Sequence, residues 1–325
     1  MNWRRPLPIR GPNRTVPHPI IERSQTSETH VILDTRCHTA DRDGILALGD
    51  LPLGRLTSGT PDPSRLARIR AMASHEPFVA AESESPHRVT AIQARTPTIV
   101  ELELEPLEGA LAYRPGQYVL LEDERHQVPP RSYSIANAPR PDGGISLLVT
   151  RVEDGMTSRW AHDVLRVGDG VLVSGPYGTF VDAPGSTRPL LLIAGGSGLA
   201  PMRALAEAEL AVDRRRPVAI LFSARTEADV LDRDRFSRWE ARHPRFRFVR
   251  TLTRDDGAPP RGRIPALLPG LHDDLGDHDV FVAGAPGFVR DCAAVAEALG
   301  APRARIRTEP FFVEPVPWSG PTSTP

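Results

Sequence analysis

The sequence predicts a two-domain protein. An antiparallel six-stranded β-barrel over residues 86–185 precedes an α/β domain with a doubly wound, parallel five-stranded sheet over residues 188–312. Short strand-like segments separated by turn residues fill the first region, whereas strand-like and helix-like segments alternate in the second. The chain has 325 residues, 40% of them hydrophobic, which is enough for two separate cores.

Residues 1–80 differ from the rest because they are rich in proline and lack hydrophobic periodicity. We predict a largely irregular leader here, with one short helix over residues 63–76. A docking arm and a degraded ancestral domain are the alternatives to a solvated leader. A disordered tail is predicted for residues 313–325.

Six segments make up the predicted barrel. Each is rich in β-branched or aromatic residues and is bounded by Pro, Gly or Asp. In the second segment, VELELE at residues 100–105 alternates between apolar and charged residues, so one of its faces should be buried. The segments are residues 88–95, 99–106, 116–123, 131–137, 145–152 and 170–178.

The fourth of these segments, RSYSIAN, combines a cation, an aromatic ring and two hydroxyl groups. In a strand, alternate side chains share a face, so Arg131 and Tyr133 point one way while Ser132 and Ser134 point the other. The pattern therefore places a guanidinium group beside a phenol ring on one face of a barrel strand. An ordinary strand with an exposed arginine is the alternative.

Five buried-strand segments make up the predicted parallel sheet, and helix-like stretches such as residues 201–210 and 289–300 lie between most of them. This alternation is typical of a doubly wound sheet. The strand segments are residues 190–194, 218–224, 246–252, 279–284 and 305–312.

The first of these strands should end at Ala194 and be followed by a glycine loop. Gly195, Gly196 and Gly198 allow the backbone to approach a ligand closely, and Pro201 suits the first turn of the following helix. The N–H groups at such a helix start are donors for a pyrophosphate. A plain strand-to-helix turn is the alternative.

A second loop of this kind follows the fourth strand, where Ala283 precedes Gly284 and Pro286. If the fourth strand lies beside the first, the strand order reverses between them, and ligands bind at such a point outside the carboxyl ends of the strands. Two glycine loops would then flank one crevice. An ordinary turn between strand and helix is the alternative.

A third loop, Gly155 to Ser158, opens a predicted helix within the barrel region and is another helix start suited to phosphate. Alternatively, Thr157 or Ser158 only caps the helix.

Composition excludes several classes of protein. The formal net charge of -1 argues against a nucleic-acid or membrane-surface protein, and all 40 basic residues are arginine, so an arginine by itself does not mark a phosphate site. Two cysteines, Cys37 and Cys292, exclude both a disulfide scaffold and an iron–sulfur cluster held by four thiolates of this chain. We predict no metal site, no membrane span and a cytoplasmic location.

The motifs RSYSIAN, DGMTSRW, GPYGTF, AGGSGLAP and VAGAPGF follow one another in an order and spacing that resemble the ferredoxin–NADP reductase superfamily, over roughly residues 86–312. Within this superfamily the chain resembles the reductases of oxygenases, but without an iron–sulfur domain. The resemblance implies that Arg131 pairs with a flavin phosphate, that Tyr133 stacks on the isoalloxazine ring and that Ser134 hydrogen-bonds near flavin N5. Residues 155–158 match a diphosphate loop, which favours FAD over FMN.

The same resemblance implies a catalytic role for Tyr133, Ser134 and Glu309, with Phe311 either near the flavin or in the core. Phe180 and Cys292 are expected to pack in cores. The residues expected to bind the cofactors are Arg131, Ser132, Tyr133, Ser134, Leu148, Val149, Thr150, Gly155, Met156, Thr157, Ser158, Gly195, Gly196, Ser197, Gly198, Pro201, Arg225, Arg254, Arg263, Gly284 and Pro286.

The choice of pyridine nucleotide depends on three arginines. Arg225, Arg254 and Arg263 would form a cluster for the 2′-phosphate of NADPH, and NADH is the alternative. Members of the family often carry a cysteine where this chain has Ala283. This difference bears on the fine tuning of hydride transfer and not on which reaction is catalysed.

The expected function is hydride transfer from NAD(P)H to bound FAD, followed by single-electron transfer to an external acceptor, such as a ferredoxin serving an oxygenase or a cytochrome P450. A free-flavin reductase or diaphorase is one alternative. A non-catalytic interaction protein that keeps the flavin fold is the other.

Overall fold

The computed structural model describes residues 45–48, 51–55, 83–125, 127–212, 216–254 and 260–312. Within the predicted leader, β1 (Ile45–Leu48) and β2 (Leu51–Arg55) pair antiparallel. The helix predicted over residues 63–76 and the predicted tail lie outside the described residues. Met1–Pro77 and Phe78–Pro325 form two compact units, and the barrel and the parallel sheet both belong to the second.

The predicted antiparallel barrel is confirmed. Its strands are β3 (Ser83–Thr96), β4 (Ile99–Pro106), β5 (Tyr118–Asp123), β6 (Arg131–Ser134), β7 (Ile145–Thr150) and β8 (Gly170–Tyr177). They pair in the order β6-β5-β8-β3-β4-β7, and a bridge between Ile135 and Leu147 joins the two outer strands and closes the barrel. Between β7 and β8 lie the short helix α1 (Met156–Arg159) and a π-helical turn, Trp160–Val164.

Strand β4 has the buried apolar face that its alternating sequence predicted, but one glutamate of its polar face is buried as well. Val100, Leu102 and Leu104 are buried in the barrel core, as expected of the apolar face. On the opposite face Glu105 is exposed, but Glu101 is only 3% exposed. A carboxylate is buried at this depth only when it is paired, and Glu101 is paired with Arg95 of β3 and with Arg203 of the α/β domain.

The parallel sheet is also confirmed. Its strands β9 (Leu190–Gly195), β10 (Val218–Ala224), β11 (Phe246–Leu252), β12 (Asp279–Gly284) and β13 (Ile306–Pro310) run in the order β11-β10-β9-β12-β13. The helices are α2 (Leu199–Ala211), α3 (Arg233–Arg242), α4 (Ile264–Leu271) and α5 (Pro286–Ala298). Since β9 and β12 are neighbours, the strand order reverses between them, and the two glycine loops lie side by side at the carboxyl edge of the sheet.

Each face of this sheet carries its own apolar layer. Phe222 and Phe281 belong to one layer, and Val282 and Cys292 belong to the other, so Cys292 packs in the core as predicted. Phe180, which follows the last barrel strand, packs edge-on against Phe281 with ring centroids 5.1 Å apart. The predicted core role of Phe180 is therefore confirmed, and its ring joins the barrel to the sheet. None of the described helices is long and apolar enough to cross a membrane.

Candidate functional site

The barrel contributes Arg131 and Tyr133 to the candidate site. Both side chains are partly buried, and Tyr133 packs against the barrel core. Burial raises the pKa of the Tyr133 phenol, while the nearby Arg131 charge opposes that rise, so the phenol is neutral at physiological pH. The structure thus brings the guanidinium and the phenol together, as the alternation of side chains along β6 predicted.

The α/β domain contributes Glu309 of β13, which meets Ser134 of the barrel. Burial raises the pKa of the Glu309 carboxyl to about 7, and the nearby Ser134 hydroxyl opposes that rise. One carboxyl oxygen, Oε2, is buried and has no hydrogen-bond partner within the described part of the chain. A buried carboxyl that is half protonated near neutrality is suited to holding or moving a proton.

The raised pKa of Glu309 makes a prediction about stability. The folded carboxyl keeps its proton up to a pKa of about 7, whereas the ordinary value is 4.5. Folding therefore takes up a proton between these pH values, and this stabilisation is lost as the pH rises through 7. In protein without bound flavin, we expect Glu309→Gln to become more stable relative to wild type by about 2 kcal/mol between pH 5 and pH 8.

Urea denaturation at several pH values measures this difference. Glu108→Gln is the matched control because Glu108 is an exposed glutamate of the barrel domain. A Glu309→Gln variant whose stability tracks that of wild type at every pH would contradict the prediction.

The third loop is held in place by its own side chains. The Thr157 hydroxyl donates to the Pro129 carbonyl oxygen at 2.5 Å, and the Ser158 hydroxyl donates to the Gly155 carbonyl oxygen at 3.1 Å. Gly155 is the N-cap of α1, so the alternative in which Thr157 or Ser158 caps the helix is wrong. A Cβ at Gly155 would lie 2.6 Å from Ser158 Oγ, so only glycine fits. Backbone N–H groups, not these hydroxyls, are therefore what the loop offers an anion.

The first glycine loop touches both the barrel and the neighbouring strand. The Thr150 hydroxyl at the end of β7 donates to the Ser197 hydroxyl at 2.8 Å. A Cβ at Gly198 would lie 2.4 Å from the Ala283 carbonyl oxygen of β12, so the loop and the strand are in backbone contact. Pro201 is buried in the first turn of α2. The ends of β7, β9 and β12 therefore lie close together at the place where the sequence predicts a crevice.

The second glycine loop is tied to the end of the last strand. The Gly284 carbonyl oxygen accepts the N–H of Phe311 at 2.7 Å. Pro286, which begins α5, is exposed.

Three further residues expected to bind a cofactor differ in exposure. Leu148 is 3% exposed and Val149 is fully buried, each within a hydrophobic core, so only their backbone groups are available to a ligand. Ser132 is exposed. The continuous apolar run LLV in β7 could have shown that these side chains are core residues.

Arg225, Arg254 and Arg263 are all exposed on loops at the carboxyl edge of the sheet. The Arg254 N–H donates to the Arg225 carbonyl oxygen at 2.8 Å, so these two residues are adjacent, and Arg263 is the N-cap of α4. The nearby acid Glu227 forms ion pairs with Arg233 and with Arg250. In the second pair, Arg250 Nη2 lies 3.1 Å from Glu227 Oε1.

Sequence reasoning missed a group of buried charges where the two domains meet. Arg203 of α2 is fully buried and pairs with Glu101 of β4 at 2.5 Å and with Asp232 at 2.9 Å. One signal was present. Arg203 lies inside the apolar run LAPMRALA, where a cation needs a buried partner.

Comparison with known proteins agrees with this architecture. The Oxidoreductase FAD-binding domain family matches residues 90–181, and the Oxidoreductase NAD-binding domain family matches residues 192–294. Ferredoxin–NADP reductase B of Sorangium cellulosum is 34% identical over 254 residues, which is 74% of this chain and 100% of that protein.

Two other proteins are similar over part of their length. The reductase component of propane 2-monooxygenase from Rhodococcus jostii is 31% identical over 69% of this chain, which spans only 62% of that relative. A crystal structure of an Amycolatopsis cytochrome P450 reductase is 30% identical with a TM-score of 0.67, covering 70% of each chain.

Proposed function

Because this chain belongs to the ferredoxin–NADP reductase superfamily and is an FAD-dependent NAD(P)H oxidoreductase, we propose that it passes electrons from NADPH through FAD to a ferredoxin. FAD would bind within residues 86–185 and NADPH within residues 188–312. The observation that carries the proposal is that Ser134, which follows Tyr133 in the barrel strand β6, lies beside Glu309 of the last sheet strand.

The residues present fit a flavin dinucleotide. Arg131 and the backbone N–H groups of residues 155–158 would hold its two phosphates, and the phenol of Tyr133 would contact its ring system. Gly155 lacks the side chain that would fill its loop, and Glu309 Oε2 is a buried polar atom with no partner in the described residues. When bound, FAD supplies the chemistry that accepts a hydride and releases single electrons.

The protein's own contribution is orientation, exclusion of water and proton control. The ends of β7, β9 and β12, together with the two glycine loops, would orient a bound dinucleotide. Glu309, with its pKa of about 7 and with a buried Oε2 that has no partner among the described residues, would hold or release a proton near neutral pH. A pKa of about 7 is close to neutral pH, where a general acid or base is most effective.

NADPH is the proposed nucleotide because the charges at the carboxyl edge favour a phosphate. Arg225 and Arg254 are adjacent and exposed there. An acidic residue after the second strand usually accepts the ribose hydroxyls of NADH, but the candidate here, Glu227, is engaged by Arg233 and Arg250.

Replacing Arg225 tests this choice. We expect Arg225→Ala to raise the KM for NADPH about 10-fold, which corresponds to about 1.4 kcal/mol, and to change the KM for NADH less than about two-fold. Steady-state kinetics with both nucleotides provide the measurement. Arg242→Ala is the control because this exposed arginine ends α3, at the opposite edge of the sheet. Equal effects on the two nucleotides would contradict the proposal.

The acceptor is proposed from the relatives' chemistry. One relative is named a ferredoxin–NADP reductase and another a reductase component of a monooxygenase. The two cysteines of this sequence are too few for a four-thiolate cluster, and we therefore propose a separate protein as the one-electron carrier. We propose a ferredoxin that serves an oxygenase or a cytochrome P450, in the cytoplasm.

One experiment tests the function as a whole. The purified full chain, reconstituted with FAD, is expected to hold about one FAD per chain, to oxidise NADPH with ferricyanide and to reduce a [2Fe–2S] ferredoxin. Absence of both flavin absorbance and NAD(P)H oxidation would overturn the proposal. FAD that is released at each turnover would support a free-flavin reductase instead, and bound FAD without turnover would support a non-catalytic protein.

A further inference from the structure

Helix α2 links the first glycine loop directly to the chain segment that follows the RSYS strand. The helix starts at Leu199, immediately after Gly198. Two of its side chains, four residues apart and therefore on one face, bind the backbone of residues 136–138. Arg203 donates from Nε to the Ala136 carbonyl oxygen, and Glu207 accepts the Ala138 N–H at 2.9 Å. We call these two side chains the α2 clamp.

The guanidinium of the clamp is fixed on every side. Its remaining nitrogens donate to Asp232 and Glu101, and Arg95 binds the other oxygen of each acid, at 2.7 Å from Asp232 and 3.3 Å from Glu101. Burial alone would lower the pKa of Arg203, but Asp232 and Glu101 outweigh it and hold the pKa above its ordinary value. A permanent charge that makes bonds in three directions leaves little freedom to the carbonyl it binds.

We propose that Arg203 and Glu207 are positioning residues for hydride transfer: they set the location of Tyr133 and Ser134 relative to the glycine loop. This inference rests on the proposed function. Ala136 is two residues beyond Ser134 of β6, and Gly198 of the first glycine loop is five residues before Arg203. The α2 clamp therefore gives a short connection between β6 and the first glycine loop. Hydride transfer is sensitive to such placement, since an error of about 1 Å costs about 100-fold in rate.

The chain contains a matched control for Arg203. Arg216 is also buried and also donates to one carbonyl oxygen, that of Arg188, and to two acids, Asp182 and Asp279. Its partners lie at the amino ends of β9 and β12, away from the crevice. A substitution at Arg216 therefore measures the general cost of disturbing a buried arginine in this domain.

The first experiment compares Arg203→Lys with Arg216→Lys in the FAD-bound full chain. Lysine keeps the charge but cannot bind in three directions at once. We expect a similar loss of thermal stability in both. Only Arg203→Lys should show faster amide hydrogen exchange over residues 135–138 and a limiting rate of FAD reduction by saturating NADPH that falls about 10- to 100-fold, with unchanged FAD content. An Arg203→Lys variant that matches Arg216→Lys in exchange and in reduction rate would overturn the inference.

The second experiment uses Glu207, whose side chain is only partly buried, in case Arg203→Lys does not fold. Glu207→Ala removes the acceptor of the Ala138 N–H, whereas Glu207→Gln retains an oxygen that can accept it. We expect Glu207→Ala to speed exchange at Ala138 and to slow FAD reduction about 5- to 10-fold, and Glu207→Gln to restore both. Equal behaviour of the two variants would overturn the inference.

The two proposals fail in different ways. Wild-type protein that binds FAD but is not reduced by NADPH would refute the proposed function and, with it, the role in hydride transfer. Normal reduction of the wild type, together with normal rates and exchange in the clamp variants, would refute the clamp alone.

Discussion

Arg131→Ala is expected to give a folded protein that has lost most of its affinity for FAD. Arg131 makes one described hydrogen bond with the rest of the chain, from Nη1 to the neighbouring Pro130 carbonyl oxygen at 2.9 Å, so its removal costs the barrel little. A phosphate contact through a guanidinium is a charge-assisted hydrogen bond worth about 1.5–3 kcal/mol. The dissociation constant for FAD should therefore rise by roughly 10- to 150-fold.

Titration of the flavin-free protein with FAD, followed by flavin fluorescence, measures this change, and circular dichroism verifies the fold. Arg166→Ala is the matched control, because Arg166 also donates to the carbonyl oxygen of the preceding residue, Leu165, at 2.9 Å within the same domain. Retention of wild-type FAD affinity by Arg131→Ala would show that this guanidinium does not bind the flavin.

Gly198→Ala is expected to destabilise the α/β domain and to open the crevice. The added methyl group would lie 2.4 Å from the Ala283 carbonyl oxygen and 2.9 Å from the Gly284 nitrogen, and both are backbone atoms of a central strand. Neither can move without breaking sheet hydrogen bonds, so the loop itself must shift. Overpacking of this kind costs about 1–3 kcal/mol, which corresponds to a decrease in Tm of roughly 3–10 °C.

Thermal unfolding gives the Tm, and rapid mixing with NADPH shows whether FAD reduction slows while FAD stays bound. The control is Gly195→Ala in the same loop, where the backbone is extended with φ of −131° and the nearest atoms to a new Cβ belong to the Phe288 ring at 3.6 Å. We expect the stability of Gly195→Ala to stay close to that of wild type. Equal Tm values for the two variants would mean that the loop is not held against β12.

Much of the architecture could be predicted because it depends on local patterns. Short segments rich in β-branched or aromatic residues located the six strands of the barrel, and apolar runs located the five strands of the parallel sheet. In the sequence, the loop glycines indicate close approach of a ligand, but Gly198 has a different reason in the structure, because its backbone packs directly against Ala283 of β12. The rule for doubly wound sheets predicts that the fourth strand lies beside the first, and the structure confirms that pairing.

Other features of the site were not predictable from local patterns. Glu101 belongs to the polar face of an alternating strand and should be solvated by that rule, yet it is buried against Arg203. Thr157 and Ser158 read as ligand or cap hydroxyls, but both are used to hold their own loop. In each case the side chain binds a group of the chain, and the sequence does not show that the two lie close together.

By itself, then, the sequence determined the two domains, the class of each sheet and the residue types of the candidate site, because side-chain periodicity and glycine conformation act over a few residues. Only the tertiary structure decided which charges meet. Arg203 and Glu101 are 102 residues apart in the chain, and Arg203 and Asp232 are 29 apart. Because all 40 Lys and Arg residues are arginine, the residue type alone does not distinguish a buried arginine that positions other groups from a solvated one. That distinction arises from desolvation, which depends on the packing of one domain against the other.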